Sequence, residues 1–300
     1  MAVSKVTLHT MLGNYPNTSP LKSGAVNSEL VNFDFIEVKV ANSFFKQVVR
    51  DAKFDLAELA IVTYLQAKCH SKPYVLVPAV IVSRGQHHTI AYNGERGSLK
   101  PADLHGKRVG VRSYTVTTST WVRGILAEEY DIDFNKVEWI SFEDPHVAEY
   151  RDPPFVKRAP EGKEMVQMLL DGEIDAAVVG DRLPDPRLKH LIPGPEPAAK
   201  RWAVRHHGVP INHMVVVRTE LSKSRPEVVR DVFCQLHASK RAAGLPDGDP
   251  LADPYRFGVE PCRPILETII DFSFHQKLIE RRLSVDELFD DTTRALKLGA

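Results

Sequence analysis

The chain has 300 residues, 43% of them hydrophobic and 26% charged, which is typical of a globular protein long enough to form two lobes with separate cores. Its 39 basic and 39 acidic side chains leave no net field to attract nucleic acid or an anionic membrane surface, so neither is expected as a partner. Because no apolar stretch approaches about 20 residues, the sequence also predicts no membrane-spanning helix.

The amino-terminal segment and the cysteines indicate the cellular compartment. Residues 1–12 (MAVSKVTLHTML) contain neither an apolar run of signal-peptide length nor a small-residue cleavage site after one, so we expect a cytoplasmic protein. Cys69, Cys234 and Cys262 are odd in number, far apart and without CxxC spacing. They therefore predict neither a disulfide framework nor a thiolate metal site, but small buried residues in a reducing compartment.

The apolar pattern predicts short buried strands that alternate with amphipathic helices, as in a mostly parallel sheet wrapped by helices. In chain order we predict a helix at 58–68, strands at 75–82 and 108–111, a helix at 118–130, a strand at 137–140, a helix at 163–170, strands at 174–179 and 214–217, and a largely helical last third.

Local signals mark boundaries in the second half of the chain. The spacing of Ser224 with Glu227, and of Ser284 with Glu287, predicts a capping box at two helix starts. Proline and glycine concentrate at 181–208 and 244–264, which we therefore predict to be loops.

Several spaced motifs resemble known families. Residues 104–111 (LHGKRVGV), followed by a Ser/Thr-rich loop and a helix, resemble the start of the second lobe of type II periplasmic binding proteins. More specific motifs, found in the same order as in the 4,5-dihydroxyphthalate decarboxylase family, are GNYPNT at 13–18, FDLAE at 54–58, Arg84 with His88, Tyr114 with WVRG at 121–124, Arg182 with Pro184, PINH at 210–213, and GVE at 258–260 with Arg263 and Glu267. The resemblance extends from about residue 13 to residue 289.

The resemblance implies an α/β, two-lobed type II periplasmic-binding-protein-like fold with a ligand cleft between the lobes. Lobe one would comprise 1–92 and 205–300, and lobe two 93–204. The implied activity is decarboxylation of a small hydroxylated aromatic carboxylic acid, similar to 4,5-dihydroxyphthalate, by acid–base chemistry. No cofactor motif and no metal site is predicted, although a divalent ion held by His and Glu side chains stays open, as does a homo-oligomer.

An anion site is predicted at the start of the helix that follows residue 113. Helix amino termini present free N–H groups and a positive dipole end, so Thr117 and Thr118 are candidates to hold a carboxylate; they could equally cap the helix. Arg123, one turn later, is either a carboxylate ligand or part of a surface salt bridge with Glu128.

The resemblance adds further candidates. His88 and His213, each beside an apolar strand, are candidates for proton transfer, and the alternative is that they only hydrogen-bond the backbone. Glu58 would orient a histidine or accept a hydroxyl proton, unless it caps a helix. The remaining substrate-binding candidates are Asn14, Asn17, Thr18, Arg84, Tyr114, Arg182 and Glu260.

Three positions depart from the family pattern. Asn14 stands where the family has aspartate, and Asn17 and His87 stand where it usually has arginine. Because Asn17 and His87 replace arginines, we expect one carboxylate or phenolate contact of the family substrate to be missing or altered, and a substrate with fewer anionic groups. The alternative function is a solute-binding protein or a cytoplasmic sensor for a small organic anion, because a fold does not determine function.

Overall fold

The structure, a computed structural model, describes residues 5–248 and 251–298. Within these residues the strands are β1 (Val6–Met11), β2 (Val31–Phe35), β3 (Leu56–Ala60), β4 (Tyr74–Ser83), β5 (Ile90–Asn93), β6 (Arg108–Val111), β7 (Glu138–Ser141), β8 (Val156–Arg158), β9 (Ala176–Val178), β10 (Leu188–His190) and β11 (Ile211–Arg218). The α-helices are α1 (Ser19–Lys22), α2 (Phe45–Asp51), α3 (Ile61–Cys69), α4 (Thr117–Tyr130), α5 (Met165–Asp171), α6 (Pro195–Arg205), α7 (Thr219–Ser224), α8 (Pro226–Ala242), α9 (Val259–His275) and α10 (Asp291–Arg294).

The strands form two sheets. The first has the order β2-β1-β3-β11-β4 and the second the order β10-β5-β9-β6-β7-β8. Strands β1, β2 and β3 are parallel, and β11 runs against both β3 and β4. In the second sheet β9, β6, β7 and β8 are parallel, and β5 runs against β9 and β10. The prediction of mostly parallel strands is therefore confirmed, since only β11 in the first sheet and only β5 in the second run against the other strands of their sheet.

The chain crosses from the first sheet to the second between β4 and β5, and returns between α6 and β11. Strand β5 belongs to the second sheet and spans the predicted lobe boundary at 92, so the crossing itself lies at residues 84–89. Helices α7 to α10 follow the return, and α8 packs on β4 and β2 of the first sheet. Helices α7, α8 and α10 thus pack on the sheet with which the chain began, whereas α9 packs on α4 and α3.

Most predicted elements are present, with shifted ends. The helix predicted from residue 58 begins only at Ile61, because residues 56–60 form the fully buried strand β3 between β1 and β11. Continuous apolar runs of this kind fit a buried strand and a buried helix equally well. The loop predicted at 181–208 contains β10 and α6, and α9 begins inside the loop predicted at 244–264.

One predicted capping box is absent and the other is only partly formed. Ser224 ends α7 and donates its hydroxyl to the carbonyl of Glu220, and α8 begins after Arg225 instead. The backbone N–H of Ser284 does donate to Glu287, but the element that follows is a single 3-10 turn.

Two further predictions concern the cysteines and the membrane. All three cysteines are free thiols, but only Cys262 is buried; Cys69 is half-buried and Cys234 is exposed, so the prediction that all three are buried is wrong. In the part of the chain that the structure describes, no helix combines the length and apolar character that a bilayer span requires.

Helix α4 is held at the junction of the two sheets. Its Trp121 packs edge-on against Trp202 and Phe272, and the Trp121 indole N–H donates to the carbonyl of Ile211 at 2.8 Å. Because Ile211 is the first residue of β11, this hydrogen bond sets the distance between the start of α4 and the start of β11. The amino terminus of α4 and the start of β11 therefore face the same space.

The packing of α4 on α9 predicts the effect of one substitution. A Cβ at Gly124 would lie 2.0 Å from Phe272 Cδ2 and 2.5 Å from Cγ, so Gly124→Ala requires the ring to shift. We expect urea titrations to show a decrease of about 1–3 kcal/mol in the free energy of unfolding. In an unhindered helix, by contrast, replacing glycine with alanine usually increases this free energy. Adding Phe272→Leu should recover part of the loss. A stabilised single variant would contradict this packing.

Candidate active site

A cavity of about 360 Å³ lies where the two sheets meet. Its walls come from chain segments at strand ends, as expected for α/β sheets, whose ligand sites form at the carboxyl ends of the strands. These segments are Gly13 to Tyr15 after β1, Ala60 at the end of β3, Arg84 after β4, Arg112 after β6, His146 after β7, and Asn212 with His213 at the start of β11.

A buried carboxylate lies directly behind the cavity wall. Glu58, on β3, is 0% exposed. Its Oε1 accepts the hydroxyl of Tyr15 at 2.9 Å and faces Nδ1 of His213 at 2.8 Å, and its Oε2 accepts the backbone N–H of Gly13 at 2.5 Å. Burial, and then the neighbouring Glu58 charge, raises the pKa of Tyr15, so this phenol stays a hydrogen-bond donor at neutral pH.

His213 forms part of the cavity wall. Because its Nδ1 is bonded to Glu58, Nε2 is the ring nitrogen left to exchange a proton with a ligand. The ring of Phe45 contacts the imidazole edge-on, with centroids 5.1 Å apart, and so limits its rotation. A carboxylate that orients a histidine in this way is a common arrangement for acid–base chemistry.

A second imidazole, that of His146, lines the same cavity and differs in its electrostatics. It is only 5% exposed, contacts Phe45 edge-on at 5.5 Å, and its Nδ1 lies 2.8 Å from the hydroxyl of Thr63. Burial, and then the charges of Arg112 and Lys46, lower the pKa of His146 to about 3. This imidazole is therefore neutral at physiological pH.

Positive charge surrounds the rest of the cavity. Lys39, Arg84 and Arg112 line it, and both α3 and α4 begin at it. The Thr117 hydroxyl accepts the N–H of Val62 at 3.2 Å, which joins the first turns of the two helices. Cationic side chains and helix amino termini are both suited to anions, so the cavity is suited to a small carboxylate.

Several predicted residues lie at the cavity. Asn14, Arg84, Thr117, Thr118 and His213 line it.

Asn17 and Thr18 lie behind the wall and shape the preceding turn. Asn17 is buried and donates to the carbonyl of Ile81 at 3.1 Å. The Thr18 hydroxyl donates to the carbonyl of Gly13 at 2.7 Å and accepts the N–H of Tyr15 at 3.0 Å.

Arg123 and Tyr114 are not at the cavity, contrary to expectation. Arg123 is fully buried on the opposite side of α4, where its Nε donates to Gln276 at 2.7 Å and its Nη2 to the carbonyl of Tyr114 at 2.6 Å. The guanidinium also lies 3.8 Å from the centroid of the Tyr114 ring. Both residues therefore attach α4 to the carboxyl-terminal helices instead of holding a ligand.

His88 and Arg182 are also displaced from the cavity. His88 Nε2 lies 3.3 Å from Asp181, whose carboxylate also accepts from Arg84 at 2.9 Å, so His88 reaches the cavity only through those two residues. Arg182 is exposed in the loop after β9.

Glu260 and His87 lie elsewhere in the fold. Glu260 is exposed in the first turn of α9 and paired with Arg263 at 2.7 Å. His87 is buried with its Nε2 3.1 Å from Glu129. Since neither His87 nor Asn17 lines the cavity, the expectation that their departure from the family pattern removes substrate charge contacts loses its basis.

Several cavity residues were not predicted from the sequence, among them Tyr15, Lys39, Arg112 and His146. Arg112 directly follows β6, and His146 lies five residues beyond the end of β7, but only the tertiary structure brings both to the cavity. Tyr15 lies inside a recognised motif but was not singled out. Lys39 belongs to an irregular segment with no distinguishing pattern.

Across residues 5–248 and 251–298, no group of three or more His, Cys, Asp and Glu side chains is arranged to hold a metal ion.

Comparisons with known proteins identify relatives of this chain. No family model matches it. A 4,5-dihydroxyphthalate decarboxylase of Comamonas testosteroni is 36% identical over 239 residues, covering 75% of this chain and 72% of the relative. A 4,5-dihydroxyphthalate decarboxylase of Pseudomonas putida is 33% identical over 215 residues, covering 67% and 82%.

Solved structures show the architecture. The alkanesulfonate-binding protein SsuA from Xanthomonas axonopodis pv. citri, bound to MOPS, matches with a TM-score of 0.58 at 11% identity, over 96% of this chain and 99% of that one. The periplasmic aliphatic sulphonate binding protein SsuA from Escherichia coli matches with the same score at 10% identity, over 95% and 98%. These matches show the two-lobed type II periplasmic-binding-protein fold.

The neutral state of His146 predicts a pH dependence of stability. Its pKa is lower in the folded chain than in the unfolded one, so the unfolded state binds more protons between about pH 6.5 and pH 3. His146 therefore leaves the free energy of unfolding unchanged above about pH 6.5 and lowers it as the pH decreases below that value. Between pH 7.5 and pH 5 we expect His146 to contribute about 2 kcal/mol of this loss.

The measurement compares urea unfolding of the wild type, His146→Gln and His146→Phe at the two pH values. Both variants lack the titrating group, so each should lose about 2 kcal/mol less than the wild type over this interval. Equal losses in all three proteins would show that His146 is protonated in the folded state.

Proposed function

The chain belongs to the 4,5-dihydroxyphthalate decarboxylase family, and we propose that its cavity is the active site where a small hydroxylated aromatic acid loses carbon dioxide. The chain is accordingly a decarboxylase, a carbon–carbon lyase. The observation that carries the assignment of the site is the buried Glu58 carboxylate paired with His213 beside a cluster of cationic side chains. This arrangement combines a proton carrier with an anion site.

We propose 4,5-dihydroxyphthalate or a close analogue as the substrate. A ring with two carboxylates carries two negative charges, and the cavity offers Lys39, Arg84 and Arg112 together with the amino termini of α3 and α4. The cavity volume of about 360 Å³ falls in the range of small-molecule sites. Thr117 and Thr118 lie where a carboxylate would meet the first turn of α4.

The reaction requires a proton on the ring carbon that bears the departing carboxylate. The substrate binds with its para hydroxyl ionised, that proton having passed to water. The phenolate electrons move through the ring to the carboxylate-bearing carbon, which takes a proton from Nε2 of His213. The carbon–carbon bond then breaks, its electron pair returns through the ring to restore the phenolate, and carbon dioxide leaves. His213 regains its proton from solvent.

Glu58 has a positioning role in this scheme. Its carboxylate offers the protonated imidazole a charged hydrogen-bond partner at 2.8 Å and fixes which nitrogen faces the substrate. The bonds from Gly13 and Tyr15 offset the desolvation of the buried charge. A solute-binding protein would use the cationic side chains but has no use for a proton carrier held in this way.

The activity is tested by incubating the protein with hydroxylated benzene carboxylates and following carbon dioxide release. Turnover of 4,5-dihydroxyphthalate, with slower turnover of monocarboxylic analogues, is the expected outcome, since the latter lack one charge for the cationic side chains. Tight binding of these acids without carbon dioxide release would support the solute-binding or sensor alternative.

His213→Asn should separate chemistry from binding. Asparagine keeps a polar group near Glu58 but cannot carry a proton, so the turnover constant should fall by roughly 10²-fold or more while the ligand dissociation constant changes much less. His88→Asn should change affinity more than turnover, because His88 acts on Arg84 through Asp181. His237→Asn, on α8 and paired with Asp247, is the control. Full turnover by His213→Asn would remove this histidine from the mechanism.

A further inference from the structure

His146 lines the cavity but takes no part in the proton transfer described above. Its Nδ1 lies 2.8 Å from the Thr63 hydroxyl, which has one proton to donate. Among the described residues, the ring of His146 is the only hydrogen-bond partner of that hydroxyl. Where this hydroxyl donates to Nδ1, a neutral ring carries its own hydrogen on Nε2.

We propose that the Nε2–H of His146 donates to the ring hydroxyl oxygen of the substrate and so selects ring-hydroxylated acids. This inference rests on the proposed function and deepens it by naming the group that recognises the hydroxyl. Thr63 is the positioning residue, since it acts only by holding the tautomer of His146.

The position of Phe45 relates the two imidazoles to one bound ring. His213 and His146 both contact Phe45 edge-on, with centroid distances of 5.1 and 5.5 Å. In the proposed binding mode the substrate ring lies along Phe45, with its carboxylate-bearing carbon at His213 and its hydroxyl oxygen at His146. The proton donor and the hydroxyl contact thus act at different ends of the same ring.

A neutral donor suits the electron flow. The hydroxyl oxygen begins as a phenolate, becomes a carbonyl when the ring carbon is protonated, and is a phenolate again after carbon dioxide leaves. A hydrogen bond from a neutral N–H stabilises the charge that develops in the second step, as an oxyanion-binding donor does. An imidazolium would bind the starting phenolate too strongly and oppose the first step.

The surroundings of His146 keep it in this neutral form. The charged groups that act on it are Arg112, Lys46 and Arg50, with His213 across the cavity, and all of them disfavour a second proton on the ring. Burial adds to this effect and lowers the pKa of His146.

The first test is ligand discrimination. The affinities of 3,4-dihydroxybenzoate and benzoate are measured by calorimetry with the wild type, His146→Phe and His146→Gln. We expect His146→Phe to reduce the preference for the hydroxylated acid by roughly tenfold, the value of one hydrogen bond, while benzoate binding stays within about twofold. His146→Gln should keep most of the preference, because its amide N–H reaches nearly the same place as Nε2.

The second test uses Thr63 and is independent of any His146 variant. Thr63→Val preserves shape but removes the donor to Nδ1, whereas Thr63→Ser keeps it. Long-range ¹H–¹⁵N spectra of the wild type should show a neutral ring protonated at Nε2, and Thr63→Val should lose both this single tautomer and the hydroxyl preference. Should His146→Phe fail to fold, Thr63→Val and Thr63→Ser decide the matter.

The outcomes separate this inference from the proposed activity. On a hydroxylated substrate, turnover of His146→Phe should fall by roughly 10²-fold. Two results together would support the inference but contradict the assignment of decarboxylation to this site. These are a wild type that releases no carbon dioxide, and a preference for hydroxylated acids that is present in the wild type and lost in His146→Phe. An unchanged preference in both His146→Phe and Thr63→Val, or a wild-type ring protonated at Nδ1, would overturn the inference alone.

Discussion

The burial of one carboxylate, that of Glu58, constrains the whole site. A charge taken out of water is costly unless hydrogen bonds replace the lost hydration, and here the replacements come from Gly13, Tyr15 and His213. Together with Glu58 these residues come from three segments, one after β1, one on β3 and one on β11, which the sheet order brings side by side. A Cβ at Gly13 would lie 2.5 Å from the Tyr15 ring, so the absence of a side chain there lets Tyr15 reach Glu58. The carboxylate therefore depends on the sheet order, and the orientation of His213 depends on the carboxylate.

The same fold collects positive charge without a net charge on the protein. The first turns of α3 and α4 meet at the cavity, and α4 is held there by Trp121 on one side and Arg123 on the other. Arg123 thus fixes the position of this helix through Gln276 and the carbonyl of Tyr114. The SsuA sulfonate-binding proteins share this architecture, and in the proposed mechanism the His213–Glu58 pair supplies the acid–base chemistry of this chain.

The two cavity imidazoles differ because their neighbours differ. His213 is bonded to a carboxylate, whereas His146 faces a neutral hydroxyl and several cations. Opposite environments for two like groups allow one to act as a proton carrier and the other as a neutral donor. With this division of roles, the proposed reaction needs few other polar side chains next to the substrate ring.

The sequence by itself determined the alternation of strands and helices, the helix near 118–130, and the family, since these depend on local periodicity and ordered motifs. It also identified Glu58 and His213. The tertiary structure alone decided that Glu58 lies on a strand paired with β11, that His146 and Arg112 join the site, and that Arg123 faces away from it. Periodicity encodes how deeply a residue is buried, but contacts such as Glu58 with His213, 155 positions apart, depend on strand order and register, which no local pattern specifies.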